Sequence, residues 1–236
     1  MIDGRSILAV VPARGGSKGI PQKNITLFHE RPLIEWTAEF IQKLPFLDRS
    51  IVSTDSKEIA EVAELCGLDS PFMRPSHLSG DRISDYDVLI HALEAVEEID
   101  QNQFDVVVML QPTSPFRKVA DVTKVVEKLV SLELDSVVTV SKTPLSFHPL
   151  KQFVLKDERL EYFDEMGQTV VARQDLYPTY FRNGVAYAVT RECLIKQKKV
   201  IGKNSGLHLI QHEFINIDSV EDIEKGESMS PPSFQS

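Results

Sequence analysis

The sequence has only two cysteines in 236 residues, Cys66 and Cys193, and neither belongs to a Cys-x-x-Cys pair. This argues against a disulfide-rich fold and a thiolate metal site, and it favours two reduced core residues. No apolar run approaches the roughly 20 residues of a membrane-spanning helix, and the N-terminus lacks the layout of a signal peptide. We therefore expect a cytoplasmic protein with no membrane partner.

The sequence also lacks an excess of positive charge, because 26 Lys and Arg residues stand against 35 Asp and Glu residues. A net charge of −9 argues against a nucleic-acid-binding protein, whose contact surface is basic. It leaves room for a nucleotide substrate, which needs only a local basic site. A hydrophobic fraction of 42% and a charged fraction of 26% predict a globular chain with one full core.

Apolar runs and helical repeats alternate along the chain, which is typical of a doubly wound α/β fold with a mostly parallel sheet. Strands are predicted at 7–11, 50–53, 104–110, 135–140, 183–189 and 213–217, and helices at 32–44, 57–66, 88–98, 121–132 and after Ser219. Between about 143 and 182, aromatic residues, prolines and charges mix without a helical period. We expect one domain over 1–228 with an inserted lobe at 143–182, followed by a disordered tail over 229–236.

A basic, glycine-rich loop follows the first predicted strand, with the sequence Ala13-Arg-Gly-Gly-Ser-Lys-Gly-Ile-Pro-Gln-Lys-Asn24. Glycines let backbone N–H groups surround an anion, and the three cations neutralise its charge. The spacing fits neither the P-loop nor the dinucleotide-binding pattern of glycines. The loop therefore predicts a phosphate site of another kind, and a basic surface turn is the alternative.

A second loop, Leu110-Gln-Pro-Thr-Ser-Pro-Phe-Arg117, follows the strongest predicted strand. Together the two loops resemble the signatures of the acylneuraminate cytidylyltransferases (CMP-sialic acid synthetases), a family of sugar-activating nucleotidyltransferases. The resemblance extends over about 7–224 and is densest at these two loops. It implies a Rossmann-like nucleotidyltransferase fold, CTP as co-substrate and a lobe that forms a homodimer.

The resemblance implies roles for residues around the nucleotide. Arg14, Lys18 and Lys23 would hold the triphosphate and stabilise the leaving pyrophosphate. The implied nucleotide-binding residues are Ala13, Arg14, Gly15, Gly16, Ser17, Asn24, Arg74, Ser84 and Asp85. The last three are the least specific, because polar residues in an exposed loop explain them about as well.

A third polar segment, Asn216-Ile-Asp218, stands where the resemblance implies a Mg²⁺ site. Carboxylates are suitable hard ligands for Mg²⁺, which neutralises phosphate oxygens during nucleotidyl transfer. The sialic acid enzymes have Asp-x-Asp here, so Asn216 replaces one carboxylate with an amide. Asn216 still offers a carbonyl oxygen to one or two metal ions, and Asp218 is then the main metal ligand and the catalytic carboxylate. The alternative is that Asp218 and Ser219 only cap a helix.

For the sugar, the resemblance implies Gln111, Lys151, Arg173 and Tyr187 as binding residues. A 2-keto sugar acid carries a carboxylate, which Lys and the bidentate guanidinium of Arg can anchor. Gln111 offers both a donor and an acceptor. Alternatively, Gln111 only satisfies its turn, the two cations are surface charges and Tyr187 is a core residue.

We therefore predict a cytidylyltransferase that joins CTP to a sialic-acid-like nonulosonic acid. Val200 and Ile201 replace a pair of phenylalanines that packs on the N-acyl group in the sialic acid enzymes, which leaves the sugar open. One alternative is a CMP transferase for legionaminic, pseudaminic or another modified keto-acid sugar, and another uses GTP or UTP. An alternative of a different class is a non-catalytic nucleotide- or sugar-binding protein.

Overall fold

The computed structural model describes residues 1–234, which form a three-layer α/β arrangement. The strands are β1 Ile7–Pro12, β2 Leu27–Phe28, β3 Arg31–Pro32, β4 Arg49–Ser53, β5 Val106–Met109, β6 Ser136–Lys142, β7 Phe153–Lys156, β8 Arg159–Tyr162, β9 Tyr180–Thr190 and β10 Ser205–Leu209. The α-helices are α1 Leu33–Ile41, α2 Lys57–Leu65, α3 Asp85–Asp100, α4 Val119–Ser131 and α5 Val220–Glu227. Short 3-10 helices and one π-helical turn, Cys193–Gln197, fill several connections.

The central sheet has the strand order β10-β6-β9-β5-β1-β4. Strand β9 runs antiparallel to β5 and β6, and the other three pairings, β10–β6, β5–β1 and β1–β4, are parallel. Strands β4 and β5 lie on opposite sides of β1, so the winding direction reverses between β1 and β5. Such a switch point opens a crevice at the carboxyl ends of the strands. The predicted doubly wound, mostly parallel sheet is confirmed.

Both faces of the sheet are covered, which explains the unbroken apolar run of β1. Ile7 and Val11 pack in one core with residues of α1, α2 and α4, whereas Leu8 and Val10 pack in the other with residues of α3. Cys193 lies in this second core and Cys66 is half-buried, and both cysteines are free. Among residues 1–234, no helix combines the length and hydropathy needed to cross a membrane.

The last predicted strand is wrong. Residues 213–217 belong to no strand, and the final strand of the sheet is β10, Ser205–Leu209. Buried Ile215 and Ile217 alternate with polar residues, so the segment is extended and resembles a strand in sequence. It lies beside the loop after β5, where the Ile217 N–H donates to the Thr113 carbonyl at 2.7 Å. Strand β10 is an edge strand containing glycine, which weakens its sequence signal.

The inserted lobe contains a small β7–β8 hairpin and several 3-10 turns, and β9 begins at Tyr180, inside the predicted lobe. The expected disordered tail differs from the structure at Phe234. This side chain is buried, with its ring 5.2 Å from Phe40 and 6.4 Å from Trp36 between centroids. The described part of the tail therefore packs against α1, while residues 235 and 236 lie outside the described residues.

Candidate active site

A cavity of about 560 Å³ opens at the carboxyl ends of β1 and β5, at the topological switch point. Loops after both strands line it, together with the segment before α3 and the segment before α5. The predicted site residues that it brings together are Arg14, Ser17, Lys18, Lys23, Asn24, Arg74, Asp85, Gln111, Asn216 and Asp218. Ala13, Gly15, Gly16 and Ser84 are not among the lining residues.

The basic loop after β1 is fixed by hydrogen bonds at both ends. The Gly15 N–H donates to Oδ1 of Asp55 at 2.9 Å, and Nδ2 of the buried Asn24 donates to the Arg14 carbonyl at 3.0 Å. A side chain at Gly19 would place its Cβ 2.6 Å from the Asp218 carbonyl oxygen. The loop therefore needs glycine where it approaches the third polar segment, and Asn24 holds the loop together.

All three predicted phosphate cations make ion pairs with carboxylates of the same chain. Nη1 of Arg14 and Nζ of Lys18 contact the two oxygens of Asp81, at 3.0 and 2.5 Å respectively. Nζ of Lys23 contacts Oδ1 of Asp218 at 2.7 Å, and only 16% of the Lys23 side chain is exposed. The Lys18 hydrogen bond, with further help from Arg14, lowers the pKa of Asp81. Each of these cations is thus paired with a carboxylate at the cavity, and Lys23 is the most buried of the three.

Asp218 and Asn216 lie side by side at the cavity. Nδ2 of Asn216 donates to Oδ2 of Asp218 at 3.0 Å, while the Ser114 hydroxyl lies 2.9 Å from Oδ1 of Asn216. Because the amide oxygen already has this partner, the carboxylate of Asp218 is the principal oxygen donor here. Mg²⁺ binds through one or two carboxylates together with phosphate oxygens, so this donor set fits a metal completed by substrate. Within the described residues no group of three His, Cys, Asp or Glu side chains forms a metal site without substrate.

Arg74 is a buried cation at the edge of this cavity. Only 4% of the residue is exposed, and its Nε and Nη2 atoms have no hydrogen-bond partner among residues 1–234. Burial lowers the pKa of Arg74, an effect that nearby Asp55 partly offsets. A buried N–H without a partner is costly, so these donors are suited to an acceptor on a ligand.

The predicted nucleotide-binding residues Ser84 and Asp85 have different surroundings. Ser84 caps α3 through a reciprocal capping box with Asp87, in which the Asp87 N–H donates to the Ser84 hydroxyl oxygen at 3.3 Å. Asp85 lines the cavity, and burial raises the pKa of its carboxyl while Arg182 lowers it in part. Of the two, Asp85 is therefore the residue placed to meet a ligand.

A second cavity of about 340 Å³ adjoins the first and shares Asp85, Gln111 and Asn216 with it. Its other lining residues are Phe181, Arg182, Asn183, Gly184, Tyr187 and Phe214. Burial raises the pKa of Tyr187 and keeps its phenol neutral. Lys151 and Arg173 line neither cavity and lie exposed on the inserted lobe. The two cavities together can hold a phosphorylated ligand beside a second polar one.

A family model described as cytidylyltransferase matches residues 8–229, which is nearly the whole chain. The chain belongs to the cytidylyltransferase family. It is accordingly a nucleotidyltransferase, and the family expected from the two loop motifs is confirmed.

Several relatives of this cytidylyltransferase are named for the sugar that they activate. It is 34% identical over 215 residues to a CMP-N,N'-diacetyllegionaminic acid synthase of Legionella pneumophila, covering 90% of this chain and 91% of the relative. It is 29% identical over 219 residues to a pseudaminic acid cytidylyltransferase of Campylobacter jejuni, with 92% and 93% covered. An N-acylneuraminate cytidylyltransferase of Streptococcus agalactiae is 31% identical over 218 residues, covering 91% of this chain and 51% of the relative.

Solved structures support the fold. A CMP:2-keto-3-deoxy-manno-octonic acid synthetase complexed with CTP superimposes with a TM-score of 0.72 at 16% identity, covering 94% of this chain and 97% of that one. A 4-diphosphocytidyl-2C-methyl-D-erythritol synthase from Anaerococcus prevotii gives 0.63 at 15% identity, with 96% and 98% covered. At these identities the likeness concerns the fold alone.

Sequence reasoning missed four residues that shape this cytidylyltransferase site: Asp55, Asp81, Arg117 and Arg182. Arg182 lines the second cavity, and the motif Arg182-Asn-Gly was the signal for it. Asp55 accepts a hydrogen bond from Gly15, and Asp81 forms an ion pair with Arg14. Both contacts join residues 40 or more positions apart in sequence, so no local sequence pattern predicts them.

Arg117, the last residue of the second loop motif, lies buried beneath that loop and binds its backbone. The residue is 1% exposed, and its guanidinium donates to the Gln111 and Val185 carbonyls and to the Thr37 hydroxyl. Burial lowers the pKa of Arg117 to about 9, so the group remains charged at neutral pH. Arg117 therefore joins the loop after β5 to strand β9 and helix α1, and it fixes the backbone of Gln111.

Proposed function

We propose that this protein transfers CMP from CTP to the anomeric hydroxyl of a nine-carbon 2-keto sugar acid and releases pyrophosphate. The observation that carries the proposal is the pair of adjoining cavities, one lined by three loop cations and the other by Arg182 and Tyr187. The names of the Legionella, Campylobacter and Streptococcus relatives support the substrate class.

We call the cavity of about 560 Å³ the nucleotide cavity. There, Arg14, Lys18 and Lys23 hold the triphosphate and stabilise the charge on the departing pyrophosphate. Preformed positive groups at the place where charge develops are the main source of rate in transfers of this kind. The Arg74 donors meet an acceptor on the base, since they are buried and unpaired within the described chain. Ser17 and the backbone of Ala13, Gly15 and Gly16 shape the loop around the phosphates.

In this proposal Asp218 would hold Mg²⁺ together with oxygens of the substrate, and Asn216, which donates to Oδ2 of Asp218, would orient that carboxylate. When bound, Mg²⁺ neutralises phosphate oxygens and acts as a Lewis acid. The Asp218 carboxylate also accepts the proton of the attacking hydroxyl or directs that hydroxyl toward the α-phosphate. Lys23, which contacts Oδ1 of Asp218 at 2.7 Å, holds this carboxylate in place.

We call the adjoining cavity of about 340 Å³ the sugar cavity. There, Gln111 and Tyr187 offer hydrogen bonds to hydroxyl groups of the sugar, and Arg182 binds the carboxylate of the sugar acid. Lys151 and Arg173 lie on the lobe, outside both cavities of their own chain. We propose that they act at the site of a second subunit in a homodimer. The protein works in the cytoplasm in this proposal, where its two free cysteines stay reduced.

The names of two relatives support a modified nonulosonic acid. The chain is 34% identical to the CMP-N,N'-diacetyllegionaminic acid synthase and 29% identical to the pseudaminic acid cytidylyltransferase. Legionaminic or pseudaminic acid is therefore the second candidate beside a neuraminate-like acceptor.

The test is pyrophosphate release from CTP, UTP or GTP with Mg²⁺ and a panel of sugar acids. The panel contains N-acetylneuraminic, N,N'-diacetyllegionaminic, pseudaminic and 2-keto-3-deoxy-octonic acids. We expect release with CTP and a nine-carbon acid, and a CMP-sugar product by mass spectrometry. Binding of CTP without release for any sugar acid would support the non-catalytic alternative, and release with UTP or GTP alone would contradict the choice of nucleotide.

A further inference from the structure

We propose that Asp81 is a specificity-determining residue that competes with ligand phosphates for Arg14 and Lys18. The inference rests on the proposed function, which assigns these two cations to the triphosphate. It predicts that only a polyphosphate reaching both cations displaces the Asp81 carboxylate. A ligand with no phosphate at this place binds without moving it.

The geometry of the ion pairs supports competition. Each oxygen of Asp81 contacts a different cation, Oδ1 contacting Arg14 at 3.0 Å and Oδ2 contacting Lys18 at 2.5 Å. This bridging arrangement is that of a phosphate group held by two basic side chains. Asp81 lines the same cavity as both cations, so a triphosphate placed between them would meet its negative charge.

The position of Asp81 in the fold allows it to move aside. It follows Gly80 in the short connection between the 3-10 helix Ser76–Leu78 and the capped start of α3 at Ser84. The Asp81 side chain is 41% exposed and that of Lys18 is 80% exposed. Exposed ion pairs are weak and screened by salt, so a highly charged triphosphate displaces the carboxylate more readily than a single phosphate does.

Competition has consequences that a structural role would not have. Neutralising Asp81 should tighten every ligand that needs both Arg14 and Lys18, including CTP and the product pyrophosphate. Binding of cytidine, which has no phosphate, should stay the same. Tighter pyrophosphate would make the variant more sensitive to product inhibition, so Asp81 favours release of the leaving group.

The experiment compares wild type, Asp81→Asn and the control Glu64→Gln, which removes one negative charge from an exposed position on α2. Calorimetry measures CTP and pyrophosphate binding, and an NMR titration measures cytidine. We expect Asp81→Asn to bind CTP and pyrophosphate about 2- to 10-fold more tightly, the range for two exposed ion pairs. Cytidine affinity and the control should be unchanged.

Unchanged or weaker CTP binding by Asp81→Asn would overturn the inference and would mean that Asp81 supports the bound nucleotide. Equal tightening for cytidine would also overturn it, because a general change in the cavity would then explain the result. Failure of the proposed function has a different signature in wild-type protein. That protein would then either bind neither CTP nor pyrophosphate, or bind CTP and release no pyrophosphate with any sugar acid.

Discussion

The larger cavity and the inserted lobe differ in how their predicted binding cations are paired within one chain. At the cavity, each of Arg14, Lys18 and Lys23 has a carboxylate partner within 3.0 Å. On the lobe, Lys151 and Arg173 make no ion pair within residues 1–234. One region is preorganised for a ligand, whereas the other presents its groups outward.

The β7–β8 hairpin shows the same contrast in its apolar residues. Strand pairing sets Phe153 opposite Tyr162 and Leu155 opposite Leu160, so these four side chains share one face. Leu155 is 72% exposed and Leu160 is 69% exposed. Contiguous exposed apolar residues of this kind mark contact surfaces. The hairpin face is therefore where the proposed homodimer would bring its second copy.

The largest expected effect on activity is at Lys23, in the nucleotide cavity. Lys23→Ala removes a cation of the proposed pyrophosphate site and should lower kcat/KM by about 100- to 1000-fold, as loss of one preformed charge-stabilising group does. Unfolding should change little, because Asp218 is largely exposed and the ion pair is worth about 1 kcal/mol or less. Steady-state kinetics and thermal melts measure both quantities.

The control for this prediction is Lys43→Ala, at an exposed position after α1. It removes the same charge from the same chain and should leave kcat/KM unchanged. An active but destabilised Lys23→Ala protein would break the comparison, because Lys23 would then hold the fold together instead of the pyrophosphate.

The sequence predicted most of the residues that line the larger cavity, because its signals are local. The loops at 13–24 and 110–117 each follow a strongly apolar strand, and parallel strands bring such loops to one edge of the sheet. The contacts of Asp55 and Asp81 with the loop, and the burial of Arg117, depend on segments distant in sequence. No periodicity or motif could supply them before the fold was known.

The lobe was predicted less completely, for a physical reason. Its strands β7 and β8 are short and almost wholly exposed, so the alternation of buried and exposed residues that marks a strand is weak there. The wrong strand at 213–217 shows the converse. Buried Ile215 and Ile217 give the alternation, but their side chains belong to the core that contains Ile7 and Val11, and the Ile217 N–H bonds to the loop after β5 without joining the sheet.

Charges placed on the apolar face of the β7–β8 hairpin test whether this face forms the proposed dimer contact. The double variant Leu155→Asp with Leu160→Asp should raise the dimer dissociation constant by about 30-fold or more, as loss of a central apolar contact does. CTP binding should persist, while sugar-dependent turnover falls. Light scattering and calorimetry separate the two effects.

Arg159→Asp is the matched control, because it lies on the same hairpin but on the opposite face. It should leave the dissociation constant close to that of wild type. A wild-type protein that is monomeric at all concentrations, with full turnover, would remove the need for a second copy.

A smaller effect is expected at Asn216, which lies in both cavities. Asn216→Asp adds a second carboxylate beside Asp218 and should tighten Mn²⁺ binding in the presence of CTP by about 10-fold, since affinity rises with ligand charge. Electron paramagnetic resonance counts free Mn²⁺ directly. The control Asn102→Asp makes the same change of charge at an exposed position and should leave Mn²⁺ affinity unchanged. Unchanged Mn²⁺ affinity in Asn216→Asp would mean that residue 216 does not face the metal.

The smallest effect concerns the cap that positions Asp218. Burial alone raises the pKa of Asp222, but hydrogen bonds from the Asp218 and Ser219 N–H groups and from the Ser219 hydroxyl outweigh burial and lower it. Asp222→Asn should therefore cost about 0.5–2 kcal/mol at pH 7, seen as a Tm lowered by a few degrees.

The pH dependence of this loss follows from the sign of the shift. A carboxyl whose folded pKa is depressed stabilises the fold above its unfolded pKa of 3.8, and the stabilisation disappears as pH falls through the folded value. The Tm difference between wild type and Asp222→Asn should therefore be full at pH 7 and shrink toward zero in strong acid. Glu224→Gln on the same helix should show no such difference, because Glu224 is exposed and does not cap α5. A Tm difference that persists in strong acid would mean that Asp222 positions Asp218 through packing. The position of Asp218 at the nucleotide cavity would then not depend on the charge of Asp222.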